Sequence, residues 1–399
     1  KINMDNFLKK IYLYSFLNGF NLIFPIFTLL FSKHGLNTVE ISLLIAIWSV
    51  TTIVFEVPAG VLADKYSRRN LLALANCLRG IGFIFWLIGG SFFMYAIGFV
   101  LWGLRNVLTS GTLEAFIYDE LKSEHQEHLY EKASGRLNGH RFLGGALSAV
   151  LGGIIAQYSF PLAILGSIAT SFLSACVLLF IRDVKQTRST EETQYFQILK
   201  NAFLQAKSNT YFLLIVAFIC IIFGVYGATD EYWALIFHDF GLMVSSIGFI
   251  TAIIYGLTSL AGYSAHIFRN LRWKNVELIL LSISGLLFMA TGLSKTIVLL
   301  PLLFLGIYLI RVAEIQLEAK MQHHIRSHER ATMTSMKSLV FELVYVAIIL
   351  LYGFTARMFG IVSLVTVSGI VFIVSPVIYY LFSKKFYLSL HNTGSVNQI

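Results

Sequence analysis

Long apolar runs alternate with short polar breaks along this chain, and most runs approach the roughly 20 residues that a helix needs to cross a bilayer. The pattern predicts spanning helices near 11–31, 39–63, 70–90, 92–119, 133–157, 160–181, 211–237, 242–267, 275–294, 296–320, 331–354 and 360–382. The first run is followed by Ser32-Lys33-His34 and lacks a small-x-small exit, so it reads as retained rather than cleaved. The longest polar stretch, 182–210, lies at mid-chain. Within it Phe196, Leu199, Phe203 and Leu204 recur at helical spacing. The stretch is expected to be a cytoplasmic linker, carrying a short amphipathic helix or no structure of its own. The expected organisation is therefore a six-helix bundle over 1–181, the linker over 182–210, and a second six-helix bundle over 211–399.

Composition agrees with an all-α membrane protein. Of the 399 residues, 57% are hydrophobic and 13% charged, against about 25% charged in soluble domains. A soluble fold of this size could not hide so much apolar surface. The 30 Gly and 19 Tyr also suit a membrane, because Gly lets helices approach closely and Tyr favours the interface. Cys77, Cys176 and Cys220 lie far apart inside apolar runs and read as packing thiols. Gly-rich phosphate loops, HExxH and GxSxG motifs are absent from the sequence. No enzyme activity, metal or cofactor is expected.

A net charge of +9 could suggest nucleic acid. The positions of the charges give another reason for it. With the N-terminus inside, the inner segments hold 22 Lys and Arg and the outer segments only Lys33, Lys295 and Arg357. Positive residues concentrate on the cytoplasmic side of membrane proteins, so both termini are expected there and nucleic acid is not needed. The expected location is the cell membrane, which in a bacterium is the inner membrane. The expected partners are the lipid bilayer, a small-molecule substrate and protons, with the chain acting as a monomer.

The two halves resemble each other. Gly60-Val-Leu-Ala63-Asp64 in the second span corresponds to Gly262-Tyr-Ser-Ala265-His266 in the eighth. Thr112-Leu-Glu114-Ala115 in the fourth corresponds to Gln316-Leu-Glu318-Ala319 in the tenth. The offsets are 202 and 204 residues. Repeats of this kind build transporters with a central site and alternating access.

Several ionisable residues fall inside spans, where a charge is costly and usually functional. In the tenth span, Glu314 lies about 60° and Glu318 about 20° around the helix from Arg311, so the three share one stripe. Such a group can couple proton binding to transport, or form a permanent structural network. Arg105 and Glu114 are nine residues apart in the fourth span and fall on opposite faces of a regular helix. Arg105 is expected to line the cavity. Glu114 is expected to meet His140, Arg141 or Arg79. Asp230 and Glu231 in the seventh span could attract a cation, or mark a hydrated helix end. Glu342 lies mid-span in the eleventh helix. Glu56 precedes Pro58 and could be a proton site or a hydrogen-bond acceptor at a kink. Asn18 and Asn21 could contact substrate or pack between helices. His266, His323, His324 and His328 read as surface histidines near inner loops.

The segment Gly60-Val-Leu-Ala-Asp64-Lys65-Tyr-Ser67-Arg68-Arg69 resembles the loop between the second and third helices of the major facilitator superfamily, with Ser67 where glycine is usual. Leu101-Trp-Gly-Leu-Arg105, followed by Gly111, is similar to the fourth-helix arginine motif of drug:proton antiporters, with its glycine displaced by two positions. The fifth span is glycine-rich but lacks the Gly-Pro pair of those antiporters. The resemblance implies twelve helices in two pseudo-symmetric six-helix bundles. It also implies that Asp64 and Arg68 pair with an acid at the inner end of the fourth helix, here Asp119 or, as a substitute, Glu120. In the family such a cluster latches the bundles in one state; the alternative is a solvated ion pair worth less than about 1 kcal/mol. The expected function is proton-coupled efflux of an amphipathic or drug-like solute. Import of a nutrient, metabolite or siderophore remains open, as does a non-transporting membrane receptor.

Overall fold

The computed structural model describes residues 4–182, 210–269, 275–323, 325 and 330–392. The amphipathic segment at Phe196–Leu204 lies outside these residues, as do His324 and His328. The described residues are all-helical in their regular structure and contain 12 helices long and apolar enough to cross a membrane. The chain divides into two compact units. Unit 1 comprises 1–191 with 241–255, and unit 2 comprises 192–240 with 256–399.

The spans of unit 1 are set by caps and breakers. Helix α1 is Met4–Gly19. A short 3₁₀ turn at Phe24–Ile26, carrying Pro25, separates it from α2, Phe27–Lys33. The first predicted span is thus two helices, because proline has no N–H to continue the ladder. Helix α3, Thr38–Lys65, opens on a capping box. Asn37 Oδ1 accepts from the Val39 and Glu40 amides at 3.0 and 3.1 Å, while Glu40 accepts from the Asn37 amide at 2.8 Å. Helix α4 is Arg68–Ile88. Its cap is Ser67, whose hydroxyl accepts from the Asn70 amide at 3.1 Å. The serine that departs from the family loop pattern therefore has a local role as an N-cap.

The fourth span is also divided. Helix α5, Phe92–Thr109, ends at Ser110, and α6, Thr112–Ser123, starts after Gly111. Gly111 has φ +69°, a backbone region that costs residues with a Cβ. Helices α7, Tyr130–Tyr158, and α8, Phe160–Leu179, complete the six spans. Helix α1 packs on α7 and α8, α4 packs on α5 and α8, and α3 packs on α5. The packing of α7 on α1 and on the turn after it depends on missing side chains: a Cβ on Gly144 would collide with the Phe16 carbonyl of α1, and one on Gly152 with the Leu22 carbonyl in that turn. Phe27, Phe31, Trp86 and Phe99 fill the space between α2, α4 and α5, with Trp86 and Phe99 ring centres 5.0 Å apart.

In unit 2, α9 is Thr210–Glu231 and α10 is Trp233–Asp239, so the seventh span breaks at Tyr232. Helix α11, Val244–Arg269, contributes residues to both units. Helices α12, Val276–Ser294, α13, Leu300–His323, α14, Arg330–Phe359, and α15, Ser363–Asn392, follow. Helix α9 packs on α14, α15 and α13, and α12 packs on α13 and α15. These pairings repeat those of unit 1, span for span: first on fifth and sixth, third on fourth and sixth. The first and seventh spans are also both interrupted. Broken helices at matching places in two repeats are where transporters put their binding sites.

Candidate functional site

Unit 2 gathers its charges on α9, α13 and α14. Arg311 donates from Nη1 to Glu314, one turn on along α13. The Arg311 guanidinium also lies 5.2 Å over the Tyr226 ring of α9, within range of a cation–π contact. Asp230, at the end of α9, is exposed and within electrostatic reach of Arg311. Glu231 and Glu342 are half-buried, and the charges of both act on the buried phenol of Tyr345. Glu318 accepts from Lys337 of α14 instead of from Arg311. The stripe expected on the tenth span is thus two ion pairs, one within α13 and one joining α13 to α14. Lys337 is a site residue that the sequence reading did not pair with Glu318.

Unit 1 places its buried cations differently. Arg79 of α4 and Arg105 of α5 both donate to the Asn18 side-chain oxygen, at 3.1 and 2.7 Å. Arg79 also donates to the Asn18 main-chain carbonyl at 2.9 Å and to the Ser171 hydroxyl at 3.0 Å. Asn18 belongs to α1 and Ser171 to α8, so one polar knot ties four helices. Arg79 is accordingly not a partner of Glu114. His140 stacks on Tyr12 with ring centres 5.0 Å apart and makes a 2.7 Å contact with the Arg136 carbonyl. Glu114 is exposed on α6, in the electrostatic environment of Tyr130. The opposite-face geometry drawn for a regular fourth helix does not apply, because the break at Gly111 lies between Arg105 and Glu114. Glu56 is half-buried on α3.

At the loop between the second and third spans, Arg68 donates to Asp119 of α6. The pair is partly open, with side-chain exposures of 21% and 39%, so solvent weakens it. Glu120 is buried. The Asp64 side chain lies outside the described positions. Arg69 donates to the Ile181 carbonyl at 2.9 Å and Lys10 to the Phe180 carbonyl at 2.7 Å. Both cations thus complete the carboxyl end of α8, where unsatisfied carbonyls attract positive charge. Lys65 is exposed, and a Cβ on Gly60 would meet nothing within 4 Å.

Unit 2 has a counterpart that sequence reading missed. Lys320, near the end of α13, donates to Glu277 in the first turn of α12 at 2.7 Å. Arg68 and Asp119 occupy the matching ends of the third and fourth spans with the signs exchanged. A search for matching residue types passes over a pair whose charges are swapped.

Residues 11–347 match a family model described as the Major Facilitator Superfamily. The chain is 23% identical over 231 residues to the uncharacterized MFS-type transporter YxaM of Bacillus subtilis (strain 168), covering 57% of this chain and 58% of that protein. It is 24% identical over 246 residues to the class H tetracycline resistance protein of Pasteurella multocida, covering 59% of each. These matches span less than two thirds of either relative. Among solved structures, the nucleoside transporter NupG superposes with a TM-score of 0.80 at 13% identity, over 95% of this chain and 99% of that one. A D-xylose-proton symporter superposes with a TM-score of 0.74 at 13% identity, over 95% and 98%. These superpositions speak for the fold.

Proposed function

We propose that this chain, which belongs to the Major Facilitator Superfamily, is a proton-coupled secondary transporter that exports a small amphipathic solute by alternating access. The carrying observation is the group of acids and cations inside the spans of unit 2. Arg311 has two acids in reach, Glu314 as its hydrogen-bonded partner and Asp230 as a second charge. A proton on Glu314 removes the charge that holds Arg311 and frees the guanidinium for Asp230. Loss of the proton restores the first pair. An exchange of this kind gives protonation two side-chain arrangements to choose between, which coupling requires. The Lys337–Glu318 pair ties α14 to the same helix and can carry the change to a second element.

Export is supported by two matched relatives whose names describe resistance and export, the tetracycline resistance protein and the bacillibactin exporter of Bacillus subtilis (strain 168). The bacillibactin exporter match covers 35% of this chain. The partial arginine motif on α5 points the same way. Arg68 and Asp119 serve in this reading as a latch that one transport state makes and the other breaks.

The test begins with cells that overproduce or lack the protein, scored for resistance to a panel of amphipathic compounds and for their uptake. Resistance without uptake is expected; growth that depends on a supplied solute would mean import. The protein is then reconstituted in vesicles that enclose a pH-sensitive dye. A compound identified by the resistance panel should drive proton movement, and Glu314→Gln should reduce that movement by about tenfold or more. Proton movement unchanged in both Glu314→Gln and Arg311→Ala would remove this site from the mechanism. No solute-linked flux for any compound would favour a receptor over a transporter.

A further inference from the structure

We propose that Arg79 and Arg105, bridged by Asn18, form an oxyanion-binding site at mid-span depth in unit 1, and that it takes a carboxylate or phosphate group of the transported solute. The inference rests on the transporter reading above and adds the charge class of the substrate.

The first support is a charge imbalance. Every cation described in the unit 2 cluster has an acid: Arg311 has Glu314, and Lys337 has Glu318. Arg79 and Arg105 instead share a neutral amide. The charged and titratable groups that act on them are each other, Arg141 of α7 and the Tyr14 phenol. No carboxylate stands among these described groups. Arginine keeps its charge in proteins, and like charges in a low-dielectric interior repel strongly. An anion relieves both the repulsion and the loss of hydration.

The second support is a set of idle donors. Arg79 is 3% exposed. Its Nε and Nη1 are used, but its Nη2 is buried without a partner among the described residues. Arg105 uses Nη2 on Asn18, and its Nε is buried and equally unused. Buried donors are nearly always satisfied, so two on adjacent cations mark a missing acceptor. Carboxylate and phosphate oxygens fit guanidinium groups best.

Depth selects the source of that anion. Arg79 is midway along α4, and Asn18, Ser171 and Arg105 each lie well inside their spans. A lipid headgroup sits at the membrane surface, whereas a solute crossing the bilayer passes this depth.

The experiment uses the full chain in phosphatidylcholine nanodiscs at ionic strength fixed with chloride. Its melting midpoint is followed while benzoate or, separately, inorganic phosphate is added. A saturable rise is expected with at least one of them. Arg79→Gln and Arg105→Gln should each weaken the apparent affinity by about tenfold or more, as loss of a charge-assisted hydrogen bond does. Arg105→Lys should lose less, and Lys295→Gln should change nothing. Monodisperse elution identifies folded variants; if Arg79→Gln is not folded, the half-buried Arg105 carries the comparison. No saturable rise with either anion, an equal rise with chloride, or affinity undiminished in both glutamine variants would overturn the proposal. A second arm uses phosphatidylglycerol nanodiscs without added anion. An equal rise there, lost in Arg105→Gln, would make the occupant a lipid and overturn the solute assignment. Anion binding without solute-linked flux of any kind would instead retire the transport reading while leaving an anion site at these two arginines.

Discussion

Glu318 shares a helical stripe with Arg311, yet its partner is Lys337 on another helix. Distance along the helix explains this. Seven residues rise about 10 Å, beyond ion-pair reach, whereas Glu314 at i+3 is a neighbour on the helix surface. Angular coincidence identifies residues that face one way; it does not identify partners. The Lys337–Glu318 pair is mostly shielded, with side-chain exposures of 18% and 34%. Removing one member leaves the other in poorly hydrated surroundings, which costs more than removing both. Glu318→Gln and Lys337→Met should therefore each lower the melting midpoint in detergent. The double variant should lose less than the sum of the two. A coupling of about 0.5–3 kcal/mol is expected for groups in contact, read from thermal unfolding of the four proteins in the cycle. Additive losses would mean that the two side chains do not interact. The same physics separates Arg79 and Arg105 from the rest of the charges: they are the pair that local spacing could not reveal, since α4 and α5 bring them together only in the fold.

Helix existence was legible because each apolar run is long and its ends carry polar residues. Helix continuity was not. Hydropathy averaged over a span passes through the breaks after Gly19, at Gly111 and at Tyr232, because the long apolar runs on either side outweigh the few polar residues beside them, such as Asn18, Ser110 and Asp230. Pro25 and the Ser110-Gly111 step were the available signals, and both are turn chemistry rather than periodicity. The fifth span shows the other side of this. Its glycines were visible in the sequence, but only packing separates those that must be glycine from those that need not be. Gly144 faces the Phe16 carbonyl of α1 so closely that any side chain collides with backbone, whereas Gly139 faces open space. Gly144→Leu should therefore cost about 1–3 kcal/mol through forced separation of α1 and α7. Gly139→Ala should be neutral or slightly stabilising, because alanine loses less entropy in a helix. Fluorescence-detected size exclusion after heating gives both midpoints. No loss in Gly144→Leu, or a gain like that of Gly139→Ala, would show that helix propensity, not the α1–α7 contact, decides the outcome.

The internal repeat is legible at the scale of the molecule, since Gly60 and Gly262, and Glu114 and Glu318, recur at nearly one offset. The Lys320–Glu277 pair was hidden from the same comparison by its exchanged signs. Loop charge carries a further message, about orientation, and the structure adds a second use for it. Lys10 and Arg69 donate to the last carbonyls of α8, so some of the basic residues assigned to the inner face also finish helices. The two uses reinforce each other, because a helix that ends at the cytoplasmic surface offers its negative end to the cations gathered there. The orientation follows if 22 basic residues lie inside and Lys33, Lys295 and Arg357 outside. It can be read with single cysteines in a chain whose Cys77, Cys176 and Cys220 have been replaced by serine or alanine. Lys295→Cys and Arg357→Cys should react in intact cells with a maleimide that cannot cross the membrane. Lys122→Cys should react only after the cells are opened. Labelling of Lys122→Cys from outside, with Lys295→Cys protected, would reverse the orientation and with it the side on which Arg68 and Asp119 act.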